Sequence, residues 1–371
     1  MRIVILNSAA ARFVVVAVCA IASEAVAVPR YSARYEQKCA LCHVNPSGGG
    51  MRTLYASQYL VPEEMAWSKP GPDILASIDP EIAKRIQIGT DFRTIYTYSN
   101  TDEAVAASDF FQMQGDVYFN FQMDDALSLY YDQGISSSYE LFGMWQGLPL
   151  TGYVKVGRFV PAYGWRFDDH TAFTREALGF FPPANSDVGV EFGMSPGRLD
   201  MQLSVVNGNR GGTFDDNRKL ASALTAIYRG RVGPIGWAAG MAGYWEDGVD
   251  ANFGSAGPYG YLTWKRLTWL GELDWFRDDP QGAGHTTGLV TSHELSYLVR
   301  QGLELRGTYD FLDPDWNSQT GAQWRGGGGV FVMAKPFVAL EGLYRWTGFD
   351  DGPSLAGEDY WETVLQLHLL Y

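Results

Sequence analysis

Cysteine is scarce in this chain of 371 residues, which contains only three, and Cys19 lies in the N-terminal leader described below. Disulfide bonds therefore cannot organise the fold. Basic residues are also few: 28 lysines and arginines stand against 42 aspartates and glutamates, for a net charge of -14. This balance argues against nucleic acid as a partner, because nucleic-acid binding relies on clustered positive charge.

Long apolar runs are missing as well. The apolar segment near the N terminus is shorter than the ~20 residues that a membrane-spanning helix needs. It follows a basic start and precedes residues 25–27, an Ala-Val-Ala run with the small-x-small pattern of a cleavage site. We therefore expect residues 1–27 to be an export signal that is removed after Ala27.

Aromatic residues and glycine, in contrast, are plentiful, at 14% aromatic and 43 glycines. From Arg85 onward, apolar and polar residues alternate with period two over segments of about ten residues. This pattern is typical of strands that cross a bilayer with one face in lipid and the other in a wet lumen. Within residues 111–123 the alternation predicts Met113 and Val117 on the lipid face and Gln112 on the lumen face.

Short turns and longer loops connect these segments in alternation. The predicted turns are 124–125, 147–152, 195–198, 232–234, 265–266, 300–302 and 335–336. The predicted loops are near 99–109, 132–138, 160–187, 206–219, 246–258, 277–287, 312–321 and 349–359. Seven turns and eight loops join sixteen strands, so residues 85–371 are predicted to form an all-β fold, a transmembrane antiparallel β-barrel of about 16 strands in the bacterial outer membrane. The apolar C-terminal strand, which ends in Tyr371, resembles the closing strand of such barrels.

One short motif carries chemistry. Cys39-Ala40-Leu41-Cys42-His43 matches the C-x-x-C-H pattern of covalent haem c attachment. Two thiols at this spacing reach the two vinyl groups of one porphyrin, and the following histidine supplies an axial ligand to the iron. A redox dithiol or a metal site are the alternatives. A thioredoxin-type dithiol normally opens a helix after a strand in a βαβ unit, which this sequence lacks.

The motif lies in residues 28–84, a monohaem segment that does not alternate and that proline and glycine interrupt repeatedly. It is too small to build a hydrophobic core of its own, so a covalent haem would supply the apolar centre. We expect this segment to form a short N-terminal haem-binding plug or cap, either in the periplasm or inside the barrel.

At the C-x-x-C-H motif, followed by a linker and a barrel, the chain resembles the fused monohaem cytochrome–porins of bacterial outer membranes, which include extracellular Fe(II) oxidases. The resemblance implies one covalent haem c, an electron-transfer function, and a periplasmic c-type cytochrome or other carrier as partner. It also implies an extracellular donor or acceptor, with Fe(II) as one candidate.

The sixth ligand of the iron is the open question at the site. His170 and Met65 are the main candidates, and Met51 and His368 are further ones, while an open position would permit peroxide or oxygen chemistry. Of the other histidines, His293 is expected to face lipid, and position 285 falls in an outer loop. For each candidate taken alone, a packed methionine or a solvated histidine is the simpler interpretation.

Three functions are compatible with these features. The first is an electron conduit between an outside donor or acceptor and periplasmic cytochromes. The alternative is a solute-transport porin with a haem-binding gating or sensing domain, and the third is a tethered haem peroxidase. Acidic pairs at 215–216, 278–279 and 350–351 in predicted outer loops could attract Fe(II) or another cation, although solvated loop charge is the simpler explanation.

Overall fold

In a computed structural model, the chain is described at residues 29–71, 79–100, 108–135, 139–180, 186–208, 217–249, 251–280, 282, 284–318, 321–350 and 359–371. The predicted export signal, residues 1–27, lies outside these ranges. No helix within the described ranges is long and apolar enough to cross a membrane.

The strands that the structure describes form one closed antiparallel sheet. Their bounds are β1 Glu81–Ile82, β2 Ile86–Ser99, β3 Ser108–Gln122, β4 Leu127–Gly134, β5 Tyr139–Leu148, β6 Gly152–Phe159, β7 Asp187–Met194, β8 Leu199–Val206, β9 Ala221–Val232, β10 Ile235–Asp247, β11 Ala251–Trp264, β12 Leu267–Pro280, β13 Thr286–Arg300, β14 Leu303–Asp313, β15 Gln323–Lys335, β16 Val338–Phe349 and β17 Tyr360–Leu370. Each strand from β2 to β17 pairs with its neighbour, and β17 pairs with β2, which closes the barrel. The predicted sixteen-stranded barrel is confirmed, with β1 as a two-residue addition.

The two faces of the strands differ as the period-two pattern predicts. On β3, Val117 and Phe119 point outward and are exposed, whereas Asp116, Tyr118 and Asn120 point into the lumen and are buried. The same outward apolar belt continues along β17, where alternate leucines are exposed. An apolar outer belt around a polar interior is the arrangement that a bilayer requires of a barrel. The chain is therefore an outer-membrane β-barrel in contact with lipid.

A β-bulge overturns the prediction for one stretch of β3. The β2–β3 register pairs Arg93 with Gln114 but Thr94 with Gln112, so Met113 is left without a partner. An extra residue in one strand shifts the faces beyond it. Met113 accordingly packs against an inward cluster that includes Ile95, and Gln112 hydrogen-bonds Thr94 on the opposite face. The predicted outward Met113 and inward Gln112 were wrong for this reason.

The connections follow the predicted alternation, with one clear exception. Residues 246–258 were predicted as a loop, but β10 continues to Asp247 and β11 begins at Ala251. Glycine and Pro258 suggested a loop there. The proline lies in β11 opposite Met241 of β10, and the β11–β12 pairing skips it, which is how a strand tolerates a residue without an N–H.

Two segments fill the barrel. The first contains helix α1 (Pro29–Tyr35), helix α2 (Cys39–Cys42) and the π-helix α3 (Ala56–Met65), and α1 packs against the inner face of β10, β11 and β12. The second is residues 160–180 between β6 and β7, with helix α4 (Phe173–Leu178) packed on β12, β13 and β14. We call residues 29–67 the plug and residues 160–180 the lumenal loop.

Candidate functional site

The C-x-x-C-H motif lies on the plug inside the barrel. Cys39 and Cys42 form the two ends of helix α2, and neither is in a disulfide. Cys39 and His43 line a lumenal cavity, whereas Cys42 is fully buried among apolar plug and wall residues. Burial raises the pKa of both thiols, so both are protonated at neutral pH in this state.

The loop after the motif fixes the histidine. His43 pairs with Arg52 as an isolated β-bridge, and its Nδ1 lies 3.3 Å from the carbonyl oxygen of Gly50. A metal-binding histidine usually donates its second ring N–H to such an acceptor, an arrangement that would leave Nε2 of His43 to ligate a metal. Position 50 requires glycine, because its φ is +65° and a Cβ there would lie 2.2 Å from the hydroxyl of Tyr130.

Polar side chains of the barrel wall hold this loop in place. Lys155 is fully buried on β6, and its Nζ lies 2.8 Å from Glu191 and 3.2 Å from both Asn45 Oδ1 and Ser47 Oγ. The backbone N–H of Met51 donates to the hydroxyl of Tyr130 over 3.1 Å. The ammonium group therefore ties the loop that carries His43 to the barrel wall.

A second set of ion pairs anchors helix α1. The side chain of Arg30 is completely buried, with Nε 3.1 Å from Glu304 and Nη1 3.6 Å from Glu294. Arg34 contacts the other carboxylate oxygen of Glu304 at 2.7 Å. The same Arg30 guanidinium lies 3.4 Å from Asp168 of the lumenal loop. The plug, the lumenal loop and the wall are thus joined by one network of buried charges.

The structure brings two of the four proposed distal ligands into the cavity that Cys39 and His43 line. His170 and His368 both line it. Met65 instead lines a separate, smaller cavity in the apolar cluster that contains Cys42, and Met51 is buried in the main core. Distal ligation by His170 or Met65 remains a prediction.

His170 and His368 differ in how available they are as metal ligands. Burial, with Arg175 and Arg93 close by, lowers the pKa of His170, so its imidazole is neutral at physiological pH, as a metal ligand must be. The Nε2 of His368 is already engaged in a short hydrogen bond with Asp91, which also contacts Arg52.

The other two mature histidines lie away from the cavity, as the sequence predicts. His293 stacks between Trp269 and Tyr309 on the outer surface of β12–β14. His285 is exposed in the connection between β12 and β13. Neither side chain can take part in a site within the lumen.

The acidic pairs of the outer loops do not form a metal site in the described part of the chain. There, no group of three histidine, cysteine or acidic residues is arranged to hold a metal ion. Asp279 lies 3.2 Å from Arg277, at an exposed ion pair. Asp215, Asp216 and Asp351 lie outside the described residues.

Several residues of the site were not identified from the sequence: Arg30, Lys155, Arg166 and Arg175. Lys155 could have been identified, because it is a charged residue at a position of its strand where the side chain points into the lumen. The plug residue Arg30 offers no such signal, because its partners follow it by 138 to 274 positions. Part of the donor set of a c-type haem meets at the lumenal cavity: Cys39 and the oriented imidazole of His43 line it, whereas Cys42 is buried away from it in the plug.

Comparison with known proteins addresses the fold. No family model matches the chain, and no curated protein matches it. Among solved structures, the anion-selective porin from Comamonas acidovorans is 13% identical, with a TM-score of 0.57 over 77% of this chain and 99% of that one. Outer-membrane OmpT of Vibrio cholerae is 9% identical, with a TM-score of 0.57 over 77% and 97%. OmpF of Salmonella typhi, solved with daunomycin, is 10% identical, with a TM-score of 0.55 over 77% and 97%. The chain thus has the fold of outer-membrane porins.

Proposed function

We propose that this chain is a solute channel of the outer membrane whose lumenal plug carries one covalent haem c and gates the pore. The observation that carries the proposal is the position of the plug inside a porin-type barrel, where it shares the lumen with the loop 160–180. A polar lumen suits hydrophilic solutes, and the plug and the lumenal loop together narrow the path through it.

The contacts between the plug and the wall favour gating over permanent closure. They include several ion pairs, Arg30 and Arg34 with Glu304, Lys38 with Asp200, and Glu36 with Arg231, beside one apolar cluster that contains Leu60, Met65, Phe331 and Met333. Interfaces with this share of polar contacts are typical of segments that move relative to each other, unlike large and purely apolar interfaces.

The haem would be held by residues of the plug itself. Cys39 and Cys42 would bind the porphyrin through thioether bonds, and His43 would ligate the iron through Nε2. When bound, the haem would supply a redox-active iron centre in the lumen. The Gly50 carbonyl orients the imidazole, and Lys155 holds the loop to the wall through Asn45 and Ser47. His170 and His368 are the candidate sixth ligands in the same cavity.

Conductance of the full-length protein in planar bilayers tests the channel function. We expect small or brief openings for the wild-type protein and a higher open fraction for Glu304→Gln, which weakens the pairs with Arg30 and Arg34. Glu362→Gln is the matched control, because Glu362 pairs with Arg345 at 2.9 Å on the same inner wall. A folded barrel that passes no ions in any variant would overturn the channel function. An identical open fraction in the wild-type protein and Glu304→Gln would overturn gating.

A second candidate function is electron transfer between an extracellular donor or acceptor, such as Fe(II), and a periplasmic c-type cytochrome. The presence of two histidines besides His43 in one cavity favours it, because a six-coordinate haem suits electron transfer. Proteoliposomes test it: a membrane-impermeant external donor should reduce the haem. Redox exchange confined to the periplasmic face would contradict this function and leave the channel as the better account.

A further inference from the structure

Two arginines of the lumenal loop face the cavity without a carboxylate partner among the residues that the structure describes. The other arginines on the lumen wall are paired, for example Arg325 with Asp310 and Arg345 with Asp169, each at 2.8 Å. Arg166 and Arg175 both line the cavity, yet within the described ranges no carboxylate oxygen lies within 4 Å of either guanidinium.

Arg175 is the more unusual of the two, because it is only 4% exposed. Its Nη1 donates to the backbone carbonyl of Phe167, and its Nε is buried without a hydrogen-bond partner among the described residues. Burial, together with Arg166 and Arg93, lowers its pKa to about 9, which still leaves the group charged at neutral pH. Asp168 and Asp169 act on Arg175 only from a distance, and no carboxylate of the described residues contacts it. A buried cation without such a contact is costly, so an anion that reached it would bind favourably.

Arg166 lies beside it over the haem-attachment loop. Its guanidinium donates to the carbonyl of Gly48 over 2.7 Å and to that of Val160 over 2.9 Å. Both acceptors are neutral, so neither of them supplies a negative charge to the guanidinium. Of the three acids of the lumenal loop, Asp168 pairs with Arg93 at 3.0 Å and Asp169 with Arg345. The third, Glu176, is exposed to solvent.

We propose that Arg166 and Arg175 form a carboxylate-binding site in the lumenal cavity. Guanidinium groups bind carboxylates through paired, charge-assisted hydrogen bonds, which neutral residues of the cavity cannot match. The carboxylate has two possible sources: a free organic acid in the channel, or the propionate groups of the attached haem. The site deepens the proposed function and rests on the cavity being open to solutes or holding the haem.

Calorimetric titration of the purified, full-length protein in detergent with succinate tests the site. The Cys39→Ala/Cys42→Ala protein, which cannot attach haem covalently, should bind succinate. Arg175→Gln and Arg166→Gln in that background should each weaken binding by about tenfold or more, the effect of losing a hydrogen bond to a charged group. Arg277→Gln, at an exposed outer pair, is the control and should leave the affinity unchanged. Heat-modifiable migration on gels should show that every variant is folded.

The same titration of the haem-loaded protein then distinguishes the two sources of the carboxylate. Undiminished succinate binding after haem attachment assigns the site to a free acid, and loss of binding assigns it to the haem carboxylates. Absence of succinate binding to the double-cysteine variant, or equal affinity of Arg175→Gln, would overturn the site. Failure of the proposed function is distinguishable, because a barrel that binds succinate but passes no ions keeps the site and loses the channel.

Discussion

Arg30 of the plug and Asp168 of the lumenal loop lie 3.4 Å apart, although 138 positions separate them in the sequence. The same guanidinium lies 3.1 Å from Glu304 on the wall. One buried arginine therefore joins the three parts of the molecule that meet in the lumen: the plug with the C-x-x-C-H motif, the lumenal loop and the barrel.

Loss of this arginine should be costly. Arg30→Gln leaves Glu304, Glu294 and Asp168 buried with less compensating charge, and breaking such a network typically costs about 3–5 kcal/mol. Urea unfolding of the refolded protein in detergent measures the loss. Arg277→Gln removes an exposed pair and should cost less than ~1 kcal/mol. Similar unfolding midpoints for the two variants would show that the Arg30 network contributes little.

Lys155 offers a parallel test at the loop that carries His43. Lys155→Met leaves the buried carboxylate of Glu191 without its cationic partner and removes the hydrogen-bond donor to Asn45 and Ser47. We expect a loss of about 3–5 kcal/mol, of which Glu191→Gln in the same protein should restore a part. A double variant no more stable than Lys155→Met alone would contradict the pairing as the main cause.

Arginine substitutions can distinguish the lipid-facing from the lumen-facing side of the strands. Met241 lies outward in the middle of β10 and is 55% exposed, so Met241→Arg should cost ~2–4 kcal/mol in a bilayer. Gln366 lies inward on β17, 3.5 Å from Glu341, where a new arginine gains a carboxylate. Gln366→Arg should therefore cost little. Equal costs in unfolding from lipid vesicles would contradict the assigned faces.

The lumenal loop should respond to mild acid through His170. Its folded pKa is lowered by burial and by Arg175 and Arg93, so the unfolded chain takes up a proton near pH 6.5 when the folded chain does not. Stability from this group is present above about pH 6.5 and is lost as the pH falls below it, by at most ~1.4 kcal/mol per pH unit. His170→Asn should flatten the profile between pH 7.5 and 5.5, and His285→Asn should not. An unchanged profile in His170→Asn would contradict this role.

The barrel could be predicted from the sequence because each strand carries its own signal. Lipid outside and water inside impose alternation on every membrane-crossing strand, so sixteen strands and seven short turns followed from local patterns. The bulge at Met113 was not predicted, because one extra residue exchanges the lipid-facing and lumen-facing positions of the strand without changing its composition. The beginning of the strand from Ala251 was not predicted, because it contains glycine and Pro258, which are typical of loops.

The site could be predicted only in part. The C-x-x-C-H motif predicts haem attachment at Cys39 and Cys42 and ligation by His43, because the chemistry of attachment fixes the spacing, and this stays a prediction. The position of the plug inside the barrel could not be predicted from the sequence. The partners of Arg30 and Lys38 are Glu304 and Asp200, which lie on barrel strands that come close to the plug only in the folded protein. Arg175 was missed because only the fold determines that no carboxylate of the described residues contacts its guanidinium.

Mass spectrometry of the folded protein purified from the outer membrane tests the central claim most directly. Cleavage after Lys38 and Arg52 releases residues 39–52, which contain the whole motif. We predict that this peptide carries the mass of one haem when the protein is produced in a host that attaches haem c, and that Cys39→Ala/Cys42→Ala abolishes the adduct without unfolding the barrel. An unmodified or disulfide-linked peptide from a folded, membrane-inserted barrel would contradict the account.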